Sequence, residues 1–260
     1  MTDRILSVIT QPGMMSEPVR RRVLDVELED GGARSPLAGM FKPGRPVLPL
    51  NDALPPKLRE QLPGLESSIA LAEDKAEETE AEFPALSADE RAAITLYTME
   101  AHPREDSVYY AMNAAMRDKN RARVAPWVDY IWLLLHALRK LPAARDTTVM
   151  RGCRKAAREL GQQATQGKKF TWSGFTSTAT TVDVMEEFLG RDHSCERTMW
   201  QLHLSTPLVG RDVSKLSMFQ VENEVLLPPN VRFEVQSLAR LAPGLMMVQC
   251  RQITTHDELL

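Results

Sequence analysis

Apolar residues recur at spacings of three and four through Trp127, Tyr130, Ile131, Leu134, Leu135, Leu138 and Leu141. That is the stripe of one buried helix face, and Pro126 stands where a first-turn proline is tolerated. Val108, Met112, Ala115 and Met116 predict a second helix. Ser87 and Glu90 form an S-x-x-E capping box ahead of an apolar-rich run through Tyr97, which predicts a helix start at Ser87. After Pro142 the period changes. Residues 147–151 read as a strand, 156–163 as a short helix, and 170–178 as β-rich, with Trp172, Phe175 and several threonines. Thr180 and Asp183 open another short helix carrying Val184, Met185, Phe188 and Leu189, and residues 197–204, 221–227, 231–238 and 245–253 read as strands. A helical half followed by a strand-dominated half, with few regular β-α alternations, predicts an α+β fold.

The first 90 residues follow a different pattern. Nine of the 17 prolines lie before residue 64, and no Trp or Tyr precedes Tyr97, so the main core is expected to begin near residue 90. Residues 20–29 alternate well enough for one strand. Residues 31–63, rich in Gly and Pro, read as an extended arm. Residues 66–90 carry nine acids against one base, Lys75, and read as a solvated helix or linker, with a regulatory or partner-binding segment as the alternative.

Composition narrows the class of protein. The 260 residues are 43% hydrophobic and 26% charged, which excludes full disorder and a membrane bundle. A net charge of −3 removes weight from nucleic-acid binding. The apolar stretch 130–138 is far short of a membrane span and contains His136. The opening MTDRILSVIT has no apolar core of signal-peptide length, so the expected location is intracellular and cytoplasmic. Three cysteines, Cys153, Cys195 and Cys250, make no disulfide framework, in keeping with a reducing compartment.

Several chemistries lack their signatures. His193 and Cys195 are close, but no second pair has zinc-ligand spacing, so no metal is expected. Residues 161–169 have five residues between their glycines where a phosphate loop needs four, and Lys169 stands where Ser or Thr should. No G-x-G-x-x-G follows a strand.

Three short segments remain. Thr148-Val149-Met150-Arg151-Gly152 places an arginine at a strand end before a glycine. A guanidinium there can bind phosphate through a bidentate fork, and Gly152 allows close backbone approach; a surface ion pair would leave the same trace. Ser173-Gly174-Phe175-Thr176-Ser177-Thr178-Ala179 is an ordinary Ser/Thr strand taken alone. The third runs from Phe219 through Glu222-Asn223-Glu224 to Val225-Leu226-Leu227-Pro228-Pro229. On a strand, Glu222 and Glu224 would face the same way, with Cβ atoms roughly 7 Å apart. Two such carboxylates repel unless a cation, a bound ribose or donors offset them, although a solvated edge strand also explains the spacing.

In this order, the arginine at a strand end, the aromatic-x-Ser-Thr strand and the E-x-E before Val-Leu-Leu-Pro-Pro resemble the arginine-specific mono-ADP-ribosyltransferases. That R-S-E class also includes clostridial-type toxins and vertebrate ecto-enzymes. The resemblance covers about residues 87–253 and takes in Tyr97, Tyr110 and Asn113. The E-x-E-V-L-L-P-P run is its most specific part, and residues 1–86 match nothing in it. The resemblance implies an α+β fold with a split two-sheet β core preceded by a helical segment. Residues 87–260 would form the catalytic domain, and residues 1–86 a Pro-rich and acidic accessory arm that covers the core or gates the cleft.

The resemblance also implies NAD as the ADP-ribose donor, a target-protein arginine as acceptor, release of nicotinamide, and no metal. Arg151 would contact the phosphate side of NAD, and Gly152 would offer backbone groups to the nicotinamide amide. Ser177 would order the catalytic glutamate, Glu224, with Thr178 beside it in the NAD-facing set. Ala179 departs from the serine that ends the motif. Glu222, the first glutamate of E-x-E, is associated with arginine as acceptor. Phe188 would pack near nicotinamide and Phe219 would recognise the substrate, although ordinary packing explains either. Breaking the nicotinamide–ribose bond creates an oxocarbenium-like cation, which a carboxylate at Glu224 can stabilise. Glu222 can hold the acceptor guanidinium bidentately and help remove its proton. An NAD glycohydrolase, with water as acceptor, needs the same Arg151, Ser177 and Glu224. A non-catalytic NAD- or protein-binding module on this fold is the third reading.

Overall fold

A computed structural model of the chain describes residues 37, 40–42, 44–181, 196–205, 209–219 and 223–253. The expected strand at 20–29, the expected helix that carries Phe188, and Glu222 lie outside the described residues.

The described part opens with helices α1 (Leu50–Ala53), α2 (Pro56–Gln61) and α3 (Leu65–Glu78). The span expected as an extended arm therefore carries two short helices. Pro56 sits in the first turn of α2, where a missing N–H removes no helical hydrogen bond. In α3 the acids face solvent while Leu65, Ile69, Ala72 and Ala76, spaced four, three and four apart, form one buried stripe.

Helix α4 (Ala88–Thr98) follows, then α5 (Val108–Arg117) and α6 (Val128–Lys140). The Ser87 hydroxyl accepts from Glu90 N at 3.2 Å, and the Glu90 carboxylate accepts from Ser87 N at 2.7 Å, so the capping box forms as read. Helix α4 is buried from Glu90 to Thr98, wrapped by its neighbours. Its Arg91 donates to Ala76 O at 2.8 Å, a carbonyl near the end of α3 that the Thr79 hydroxyl also reaches, and to Leu86 O at 2.6 Å.

One hydrophobic cluster joins Leu37, Leu50, Leu54, Leu58, Leu65 and Ile69 to Leu96, Tyr97, Ile131 and Leu134. The core thus begins well before residue 90, contrary to the expectation from the aromatic distribution. Leucine and alanine, not aromatics, supply the early part of it.

Among the described residues the second half forms eight strands: β1 (Thr148–Cys153), β2 (Lys169–Trp172), β3 (Thr176–Ala179), β4 (Arg197–His203), β5 (Arg211–Asp212), β6 (Glu224–Leu227), β7 (Val231–Ala242) and β8 (Leu245–Ile253). Residues 156–163 form two 3-10 turns, Ala157–Glu159 and Gly161–Ala164, rather than the expected short helix. Gly161, with φ of 55°, begins the second turn in a conformation that an α-helix does not contain.

The strand order is β2-β7-β8-β4-β1-β3-β6-β5 in one hydrogen-bonded ladder. The expected two-sheet split takes the form of two wings joined at a single Cα pair, Met150↔Ala179, between β1 and β3. A second cluster, including Trp172, Trp200, Phe233 and Val248, fills the strand-rich half. Strand β6 lies between both cores: Val225 and Leu227 belong to the sheet cluster, and Leu226 to the helical one. Strand alternation then places Glu224 on the same side as Leu226, towards the helices.

Candidate active site

The seam between the wings gathers most of the chemistry read from the sequence. On β1, the Arg151 guanidinium donates from Nη1 to Ser177 O on β3 at 2.6 Å and lies 6.0 Å from the Trp172 ring. Burial pulls its pKa down from the ordinary arginine value to about 10, which leaves it cationic at neutral pH. Gly152 is buried opposite Met199 in the β1–β4 ladder.

Ser177 is 2% exposed and pairs with Leu226, two residues along β6 from Glu224. The two side chains therefore sit diagonally on one face, at a spacing of about 7–8 Å between backbones. Ala179, the departure from the family motif, lies directly opposite Glu224. Thr178 alternates to the other face. It is fully buried, and its hydroxyl donates to Val225 O at 2.6 Å, so it staples β3 to β6 and is not brought into the group that faces Glu224.

Glu224 opens β6 with no solvent exposure. Its carbonyl accepts from Val213 N at 3.0 Å, and its Oε2 accepts from the Ser217 hydroxyl at 3.4 Å. Asn223, immediately before it, has φ of 44°. Strand β6 begins only after this left-handed residue, and Glu222 lies outside the described residues. Phe219 is half-buried, and its N–H donates to Ser217 Oγ at 3.1 Å. Because Ser217 Oγ accepts from Phe219 N, its own proton is directed to the carboxylate.

Two helices hold this arrangement. Thr95 Oγ on α4 donates to Leu216 O at 2.8 Å, and Thr98 Oγ accepts from Met218 N at 3.1 Å, which pins residues 216–218 to the helix. Asn113 on α5 accepts from Phe175 N at 3.0 Å and donates to Phe175 O at 3.1 Å, clasping the peptide just before β3. Tyr97 packs on Phe175 with ring centroids 5.6 Å apart, and its hydroxyl accepts from Asn113 Nδ2 at 3.3 Å. Gly174 makes room for the clasp: a Cβ there would lie 2.6 Å from Asn113 Oδ1. Tyr110, the other aromatic of the helical lead-in, lies under the Arg104 guanidinium at 4.5 Å.

Sequence reasoning missed Ser217, Thr95 and Thr98. The two threonines did carry a signal: they are polar positions in the apolar run of α4, and buried hydroxyls need partners. Among the described residues no group of three metal-ligating side chains occurs, and no helix is long and apolar enough to cross a membrane.

Comparison with known proteins identifies the family and the fold. A protein of Mycobacterium avium (strain 104), named as the NAD(+)--arginine ADP-ribosyltransferase Mav, is 33% identical over 155 residues. That match spans 58% of this chain but only 16% of the relative, so the chain corresponds to a small part of it. Among solved structures, the ADP-ribosyltransferase Vis in complex with agmatine superposes with a TM-score of 0.53 at 23% identity, covering 74% of this chain and 87% of that one. Vis is a toxin from Vibrio splendidus. The ADP-ribosyltransferase HopU1 of Pseudomonas syringae pv. tomato DC3000 gives 0.54 at 22% identity, covering 68% and 82%. These likenesses show the fold. The sequence model of the ART family, NAD:arginine ADP-ribosyltransferase, matches residues 60–256, and the chain belongs to that family.

Proposed function

We propose that this protein transfers ADP-ribose from NAD to an arginine side chain of a target protein and releases nicotinamide. The observation that carries the reading is the buried Glu224 carboxylate, held by Ser217 on the face it shares with Ser177, while Arg151 reaches the same strand from the other wing. This donor set suits NAD. A half-buried cation can offset the pyrophosphate charge, and a fixed carboxylate can receive positive charge that develops at the ribose. When bound, NAD supplies the glycosidic bond that breaks.

In this reading Arg151 binds and neutralises, Gly152 leaves backbone room, and Ser177 and Ser217 orient Glu224. Glu222 holds the acceptor guanidinium and takes part in removing its proton. Phe219 contacts the acceptor and Phe188 the nicotinamide side. The helices before Ser87, which share the core with α4 and α6, buttress the catalytic unit.

Purified protein is to be given labelled NAD with and without agmatine or a mixed protein extract, beside Glu224→Gln. Acceptor-dependent labelling that vanishes in the variant supports the transferase. Nicotinamide release with no labelled acceptor would favour water as acceptor, and no turnover in either condition would favour a binding module. Glu222→Gln is expected to cut transfer far more than NAD hydrolysis. An equal fall in both activities would remove Glu222 from acceptor binding.

A further inference from the structure

A second set of cations gathers where β4 begins. A cavity of about 230 Å³ is lined by Arg158, Glu196, Arg197, Arg240, Leu245 and Met246, among others. Arg197 is its deepest member, only 3% exposed, and its Nε and Nη1 are buried without a hydrogen-bond partner among the described residues. Its backbone is fixed: Arg197 N donates to Gly244 O at 2.7 Å, and the residue pairs with Leu245 on β8. Arg158 is matched by an ion pair with Glu196. Arg240 comes from the exposed side of β7 and adds a second cation.

A buried guanidinium with unmatched N–H groups is unfavourable unless an anion meets it. Three arginines against one carboxylate leave an excess of two positive charges at the cavity. That excess matches a phosphate group, which carries about −1.5 to −2 at neutral pH and accepts from a guanidinium fork. The Leu245 and Met246 wall gives room for an apolar substituent on it.

The cavity is distinct from the seam. Arg151 pairs with Trp200 across β1 and β4, and Arg197 lies three residues back along β4. Three residues of strand separate them by about 10 Å, and an odd step places the two side chains on opposite faces. We infer that this cavity is a phosphate-binding site, taking either free phosphate or a small phosphomonoester, with Arg197 as its principal donor.

The test is titration calorimetry on the full chain at fixed ionic strength, with inorganic phosphate in one arm and a nucleoside 5′-monophosphate in the other. Saturable binding is expected, weakened at least tenfold in Arg197→Met and weakened less in Arg240→Gln. Phosphate should also raise the melting temperature of the wild type and not that of Arg197→Met. Tighter binding in the first arm identifies free phosphate as the ligand, and tighter binding in the second the ester. Two results would overturn the site: no saturable binding in either arm, or equal binding in Arg240→Gln and wild type. Arg240 is exposed, so its variant decides the matter even if Arg197→Met fails to fold.

Discussion

The two wings of the sheet are held in place by different means. In the larger wing, β4 pairs with β8 over seven residues and with β1 over six, and Trp172 packs on both Trp200 and Phe233. The smaller wing has only four pairs between β3 and β6 and two between β5 and β6. One Cα pair and the hydrogen bond from Arg151 to Ser177 O tie it to the larger wing. Helices do the rest, through Asn113 on Phe175, Thr95 on Leu216 and Thr98 on Met218. Arg151 belongs to the self-supporting wing, whereas Ser177 and Glu224 belong to the one that depends on helices. The helical lobe is therefore part of what positions the carboxylate, and changes in the two wings should have different consequences.

The largest effect is expected at Glu224 itself. Glu224→Gln keeps the shape of the side chain and removes its charge, so transfer should fall by about 10²–10³-fold. The melting temperature should not fall, because a buried carboxylate is replaced by a neutral group of similar size. Steady-state kinetics beside calorimetric melting checks both parts. A parallel loss of activity and stability would make Glu224 a structural residue of the smaller wing.

Next comes the clasp. Asn113→Ala removes the acceptor of Phe175 N and leaves Phe175 O only the Tyr97 hydroxyl at 3.4 Å, which should cost about 1–3 kcal/mol for the buried donor left unsatisfied. Gly174→Ala drives a Cβ into Asn113 Oδ1 and should destabilise by a similar route. If the clash is the cause, adding Asn113→Ala to Gly174→Ala should cost less than the sum of the two single changes, which denaturant melts in a double-mutant cycle would read. Additive costs would mean that the clasp does not hold the smaller wing.

These two regions also differ in how far the sequence reveals them. Periodicity located α4, α5 and α6 because each buries a face whose spacing survives in the residue order. The strands of the larger wing were legible for the same reason, as runs of β-branched and apolar residues. Strand β5, two residues long, carries no pattern to read. Proline and glycine concealed α1 and α2, since composition alone does not distinguish a proline that starts a helix from one in an extended arm. At the site, Arg151, Ser177 and Glu224 were found as motif positions, yet their convergence depends on long-range pairing that no local window contains. The paired-face argument for Glu222 and Glu224 assumed a continuous strand; β6 starts at Glu224, and Glu222 lies outside the described residues. Ser217 lies in a loop, where polar residues are the rule, so nothing marked it in advance.

Ser217 provides a finer test of the same dependence. Its hydroxyl reaches Glu224 at 3.4 Å, long for a hydrogen bond, so Ser217→Ala should lower the turnover number only about tenfold and leave KM for NAD nearly constant. Ser217→Thr retains the hydroxyl and should recover part of the rate. A rise in KM with turnover intact would move Ser217 from orienting the carboxylate to shaping the loop.

The smallest effect lies in the helical lobe, at the capping residue of α4. Burial pushes the Glu90 carboxyl up, but hydrogen bonds from Lys140, Ser87 N and His136 together outweigh it and hold the pKa below the ordinary value of 4.5. A carboxylate with a lowered folded-state pKa adds stability that is complete above its unfolded value and is lost as the pH falls through the folded one. The Glu90 contribution is therefore present at neutral pH and fades below about pH 4.5. Lys140 and His136 are each more than a third exposed, so the contribution is screened and amounts to about 1 kcal/mol or less. Melting curves across the acid range should show Glu90→Gln less stable than wild type at pH 7, with the gap closing between pH 5 and 3. Because α4 also carries Thr95 and Thr98, the same variant should weaken the hold on residues 216–218 before it touches the larger wing. Hydrogen exchange would show this as faster exchange at Met218 N, with the amides shared by β4 and β8 unchanged. Equal acceleration in both wings would mean that the helical lobe supports the sheet as a whole and that the two wings do not differ in their dependence on it.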